Sequence, residues 1–181
     1  MSLAGAQQAV GPAGVMLLAL LLAACISDWK RRKIPNLLVV LGIVLGLLAA
    51  AAGLSGLSLV SAVLGTLVGT GLFLPLYLLR MVGAGDAKLM GMVGSFLGPL
   101  AVCWAALYTL VCGGLLAVVM LLVFGGWRAT WLRLAGLFQA LVSRMAGAPV
   151  QVVDTQTPLR LPYAIAIACG VLVWLVYGAI R

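Results

Sequence analysis

Four stretches of this 181-residue chain carry no charged side chain, and their lengths restrict the fold more than any other feature does. Residues 1–27, 34–79, 89–127 and 161–180 form charge-free runs of 27, 46, 39 and 20 residues. A helix needs ~20 apolar residues to cross the hydrocarbon core, so the runs hold one, two, two and one crossings. The chain is 65% hydrophobic and only 8% charged, with a mean hydropathy of +1.28, far from the composition of a soluble domain. The expected fold is all-α: a polytopic membrane protein with about six transmembrane helices, near 14–27, 35–52, 57–79, 87–97, 100–124 and 161–180, in a single membrane-embedded domain over residues 1–181. Pro35 suits the first turn of the second helix, where a missing amide proton costs nothing.

The charges that interrupt these runs set an orientation. Lys30, Arg31, Arg32 and Lys33 follow the first run, Arg80 and Lys88 flank the third break, and Arg128, Arg133, Arg144 and Arg160 precede the last run. If the helices alternate, these three segments share one side, while the turns near 53–57 and 98–99 are uncharged. The positive-inside rule puts the basic segments in the cytoplasm and both termini outside it. The same arrangement argues against nucleic acid as a partner, because the net charge of +8 punctuates apolar runs instead of forming a polar binding face. Topology and anionic membrane lipid account for the basic cluster.

Between residues 125 and 160 the character changes. Trp127, Trp131, Leu134, Leu137, Phe138, Leu141 and Met145 recur every three to four residues among arginines, the pattern of an interfacial amphipathic helix over about 127–145 in the cytoplasmic headgroup layer. Elsewhere, Gly42 and Gly46, Gly65 and Gly69, and Gly91, Gly94 and Gly98 recur at the spacing of close helix contacts in lipid.

Cys25, Cys103, Cys112 and Cys169 lie singly inside apolar runs, a spacing that predicts packing residues, with no metal site and no disulfide framework. No cofactor is expected. The segment LAAC at 22–25 has the outline of a lipoprotein signal box, but the first positive charge, Lys30, follows the apolar stretch instead of preceding it, so the first helix is read as retained.

The chain has three acidic residues and no histidine. Asp154 lies in a polar segment and reads as solvated. Asp28 closes the first helix and Asp86 lies in a glycine-rich break before the fourth, so the topology puts both at the cytoplasmic edge of the membrane. Charges at membrane depth cost on the order of 2.5–3.5 kcal/mol on insertion scales, and those that remain commonly serve function. Taken singly, each reads equally as a headgroup-level ion-pairing residue or as a functional one. Together they allow more. Two neighbouring carboxyls share a proton, and the ionised member can deprotonate water while the protonated one polarises a carbonyl. Gly83 and Gly85 before Asp86 permit positive φ and leave room for an extended peptide.

The segments DWKRRKIPN, at 28–36, and GAGDAKLMG, at 83–91, resemble the paired signature of the type IV prepilin peptidases, membrane aspartic peptidases of the GxGD type. LPYAIAIACG, at 161–170, is similar to the proline-aromatic start of the last helix in that family. The resemblance implies Asp28 and Asp86 as the catalytic pair, Gly83 and Gly85 in the active-site loop, and Lys88, Pro35 and Asn36 in support. It implies prepilin or pseudopilin precursors as substrates, cut after a short basic leader, pilus assembly machinery as a further partner, and residence in the bacterial inner membrane. The longer family members carry two C-x-x-C pairs and also methylate the new N-terminus. This chain has no such pairs, so no N-methyltransferase activity is expected, and the short form resembles the tight-adherence (Flp) branch. The alternative from another class is a small ion- or proton-coupled transporter with Asp28 and Asp86 as cation sites.

Overall fold

The computed structural model describes residues 11–31, 34–79, 82–124, 136 and 163–180. Six α-helices account for nearly all of them: α1 Pro12–Arg31, α2 Asn36–Ala51, α3 Leu59–Leu78, α4 Ala84–Leu97, α5 Pro99–Phe124 and α6 Tyr163–Ile180. The chain divides into two compact units, Met1–Gly113 with Pro162–Arg181, and Gly114–Leu161. The first holds α1 to α4, the start of α5 and α6. Of the second, the described residues are the last part of α5 and Gly136. The expected amphipathic helix over 127–145 therefore falls outside the described residues, Gly136 excepted.

The all-helical, polytopic expectation holds. Among the described residues, Pro12–Lys30, Leu59–Leu78 and Pro99–Val119 are each long and apolar enough to cross a membrane, and Asn36–Ala51 and Tyr163–Tyr177 are shorter apolar helices. Their outward faces fit lipid: Leu37, Leu67, Leu78 and Leu100 are largely exposed. With 14 residues, α4 rises only ~21 Å, less than the hydrocarbon thickness.

That short helix is the centre of the first unit. From Leu89 to Gly98 every residue is buried, and α1, α2, α3 and α6 all pack on it, α3 most extensively. Lipid tails are as apolar as leucine, so helices associate in a bilayer by close packing more than by leaving water. The glycine spacing provides that packing. Gly65 of α3 and Gly94 of α4 face each other so closely that a Cβ on either would meet the other's carbonyl oxygen. Gly69 lies against the Met90 carbonyl, Gly91 against Thr70, and on α2 Gly42 and Gly46 receive Met92 and Ser95. The buried Ser95 hydroxyl returns to its own helix, donating to the Met92 carbonyl at 2.7 Å.

At the junction of α1 and α2, two helix ends differ from the sequence reading. The first helix continues past residue 27 to Arg31, because Trp, Lys and Arg sustain a helix and the first strong breaker is Pro35, which biases Ile34 towards extended backbone. Pro35 itself is the extended N-cap of α2 (φ −62°, ψ 128°), one residue before the helical turn expected to contain it, and its carbonyl accepts the N–H of Leu38 at 3.1 Å.

Candidate active site

Asp28 lies on the buried stripe of α1 that runs through Leu17, Leu21 and Ala24, three residues before the helix ends. Its Oδ2 accepts the backbone N–H of Ala164, in the first turn of α6, at 3.4 Å. One turn back on α1, Cys25 Sγ donates to the Ala164 carbonyl, also at 3.4 Å. Ala164 is thus gripped through both halves of its backbone. The polar grip extends the reading of Cys25 as a packing residue only.

Asp86 is on α4, in its first turn, and not in a break ahead of the helix as the glycines led one to expect. The reason is local. Asp86 Oδ2 accepts the Gly83 N–H at 2.9 Å, so the carboxylate reaches back one turn and satisfies an amide at the helix start. Asp86 is only 8% exposed. Burial pushes its carboxyl up from the ordinary 3.8 to about 6, against the opposing Gly83 hydrogen bond and with the charge of Asp28 adding to the rise. That charge effect places the two carboxylates in one electrostatic neighbourhood, although 58 positions separate them along the chain (86 − 28).

The two glycines serve close approach and not unusual backbone. Gly83 has φ −78° and Gly85 is helical; the positive-φ glycines among the described residues are Gly53, Gly56 and Gly98. A Cβ at Gly83 would sit 3.1 Å from Asp86 Oδ2, and one at Gly85 would sit 3.3 Å from the Ile34 Cβ. Ile34 therefore rests directly on the Gly85 backbone. Two residues on, Asn36 Oδ1 accepts a hydrogen bond from Lys88 Nζ at 3.1 Å. Pro35 stands between these two contacts, so the entry of α2 is fastened to the first turn of α4 at two points. All the residues singled out from sequence, Asp28, Pro35, Asn36, Gly83, Gly85, Asp86 and Lys88, thus gather at one end of the bundle.

Sequence reasoning missed the residues contributed by α6. Tyr163 packs edge-on against Phe73 of α3, with ring centroids 6.2 Å apart and planes at 69°. Its ring also covers Gly113 of α5, where a Cβ would lie 3.0 Å from the hydroxyl. Asp86 is near enough for its charge to act on the phenol. Neither Tyr163 nor Ala164 is charged; the proline-aromatic step at 162–163 marks a helix start and says nothing of what that start touches.

Two carboxyls, one of them buried, thus lie at one end of the helix bundle, carried by α1 and α4. The type IV leader peptidase family model matches residues 15–121, which is 107 of the 181 residues and includes both aspartates. The chain belongs to the type IV leader peptidase family. Over 115 residues it is also 35% identical to the type 4 prepilin-like proteins leader peptide-processing enzyme of Escherichia coli O78:H11 (strain H10407 / ETEC). That match takes in 58% of this chain and 42% of the relative, so the chain spans less than half the length of the longer enzyme. No solved structure matches it. Within the leader peptidase family match, α1 carries the first aspartate and α4 the second, whereas α6, which tethers the first, lies beyond the matched residues.

Proposed function

We propose that this chain is an aspartic endopeptidase that removes the short basic leader from type IV prepilins of the Flp kind, at the cytoplasmic face of the bacterial inner membrane. The observation that carries this reading is the convergence of Asp28 and Asp86 at one end of the bundle, held by Ala164 and Gly83, in a chain of the leader peptidase family. Family membership removes the transporter alternative.

Each carboxylate is held through Oδ2, by one backbone N–H among the described residues. The other oxygen of each is then the one that meets water and substrate. Burial of Asp86 supports its being the protonated member, with Asp28 ionised. Asp28 takes a proton from water as the water oxygen bonds to the peptide carbon, while Asp86 donates a hydrogen bond to the carbonyl oxygen. The proton then passes to the leaving nitrogen as the C–N bond breaks, and the pair returns to one shared proton. Gly83, Gly85 and Ile34 shape the backbone beside Asp86, and Lys88 with Asn36 holds it in register.

The basic segments support a cytoplasmic position for this end and external termini. Only four residues separate Arg31 from Asn36, which leaves no room for a folded insertion there and supports cleavage without N-methylation. The test is incubation of detergent-purified protein with an Flp-type precursor, the cut mapped by mass spectrometry. Cleavage after the leader by the wild type, and none by Asp28→Asn or Asp86→Asn at equal membrane abundance, is expected. Processing by either variant would sink the mechanism.

A further inference from the structure

The site as described supplies a base and an acid, and one more polar group sits beside them without a role. Tyr163 opens α6, and the next residue, Ala164, is fixed by Asp28 and Cys25 of α1. The tyrosine backbone therefore cannot drift away from the first aspartate. Its ring is fixed independently, edge-on to Phe73 and with its hydroxyl end against Gly113, where a Cβ would lie 3.0 Å from the hydroxyl and 3.1 Å from Cε2 and Cζ. The glycine is what admits the ring at this depth. On the side of α4, Asp86 is close enough for its charge to reach the phenol.

A phenylalanine here would keep the contacts with Phe73 and Gly113 without drawing a hydroxyl out of water. A partly enclosed hydroxyl in an apolar bundle is costly unless it bonds to something, and tyrosine hydroxyls in such places have partners. A second neutral donor beside Asp86 has to keep its proton throughout the cycle. A phenol, with an ordinary pKa of about 10, does so across the working pH range.

We infer that the Tyr163 hydroxyl donates a hydrogen bond to the carbonyl oxygen of the peptide bond held between Asp28 and Asp86. This rests on the peptidase reading above. As the water oxygen bonds to the carbonyl carbon and its proton goes to Asp28, the C=O electron pair moves onto oxygen, and there the phenol and Asp86 meet it together. When the C–N bond breaks, the pair returns to form the new carboxyl and the nitrogen gains the proton. The phenol loses none at any stage. Its contribution is confined to the charged tetrahedral state, so it acts on turnover and not on substrate affinity.

The experiment measures kcat and KM for a full-length Flp-type precursor in detergent, with wild type, Tyr163→Phe, Gly113→Ala and the double variant. Tyr163→Phe should lower kcat by about 10²–10³-fold, the loss typical of one oxyanion donor, with KM within about threefold. Gly113→Ala pushes the hydroxyl aside and should lower kcat in the tyrosine background but add nothing in the phenylalanine background. The inference is overturned by a Tyr163→Phe turnover within about twofold of wild type, or by an effect on KM alone. Should that variant fail to accumulate, unchanged turnover in Gly113→Ala overturns it as well. Failure of the underlying reading looks different: the wild type does not cleave, or Asp86→Asn still does.

Discussion

Asp28 and Ala164 lie 136 positions apart and meet where the carboxylate of one accepts the backbone N–H of the other at 3.4 Å. The bond uses a side-chain oxygen on one partner and an amide on the other, so its two roles, holding α6 and presenting a carboxylate, separate by substitution. Asp28→Asn keeps an acceptor and should leave thermal stability within about 0.5 kcal/mol of wild type while abolishing cleavage. Asp28→Ala removes the acceptor and should cost about 1 kcal/mol more. Thermal unfolding in detergent beside a cleavage assay checks both, and equal stability of the two variants would show that the tether contributes nothing.

Asp86 gives a pH dependence with a definite sign. Its folded pKa, about 6, lies above the ordinary 3.8. The stability tied to its neutral form is fully present below 3.8 and is lost as pH rises through 6. Asparagine in its place can still accept the Gly83 N–H and cannot ionise. Asp86→Asn should therefore be more stable than wild type at pH 8, by at most about 3 kcal/mol, with the gap closing towards pH 4. Melting curves at both pH values test this; an Asp86→Asn protein less stable at pH 8 would contradict it.

The α3–α4 contact makes a sharp contrast between glycines. A Cβ on Gly65 meets the Gly94 carbonyl, which is backbone and cannot swing away, whereas one on Gly71 of the same helix meets nothing within 4 Å. Gly65→Ala should collapse the yield of folded protein. Gly71→Ala should be neutral or stabilising by up to ~1 kcal/mol, from helix propensity alone. Size-exclusion profiles in detergent separate the two, and similar profiles would argue against the close approach.

Lys88 and Asn36 should behave as one unit. Their 3.1 Å hydrogen bond ties the entry of α2 to the turn carrying Asp86. Lys88→Ala or Asn36→Ala should each lower kcat/KM by about tenfold through displacement of that turn. The double variant should be no worse than either single one, and additive losses would mean separate roles.

What could be read in the sequence was whatever interrupts an apolar run. Asp28 and Asp86 stand out because a charge at membrane depth is conspicuous, and the basic segments level them at one edge. The glycine spacings were legible for the same reason, since only small residues allow the contact of Gly65 with Gly94. The conformation of Gly83 and Gly85 was not, because glycine permits positive φ without requiring it, and the Asp86 carboxylate decides the matter by capping a helix. Tyr163, Ala164 and Cys25 stayed hidden because their contacts are made by a ring, a backbone and a thiol, which look like ordinary helix content until the fold brings distant turns together.

The tether from Ala164 also fixes a sequence of events in time. Ala164 leaves the ribosome 78 positions after Asp86 (164 − 86), and over that stretch of synthesis the growing chain carries both aspartates with Asp28 still unclasped. The hold of α6 on Asp28 is therefore a late contact, made after both α1 and α4 have been synthesised. A nascent molecule thus carries both aspartates before the backbone amide that holds the first of them exists.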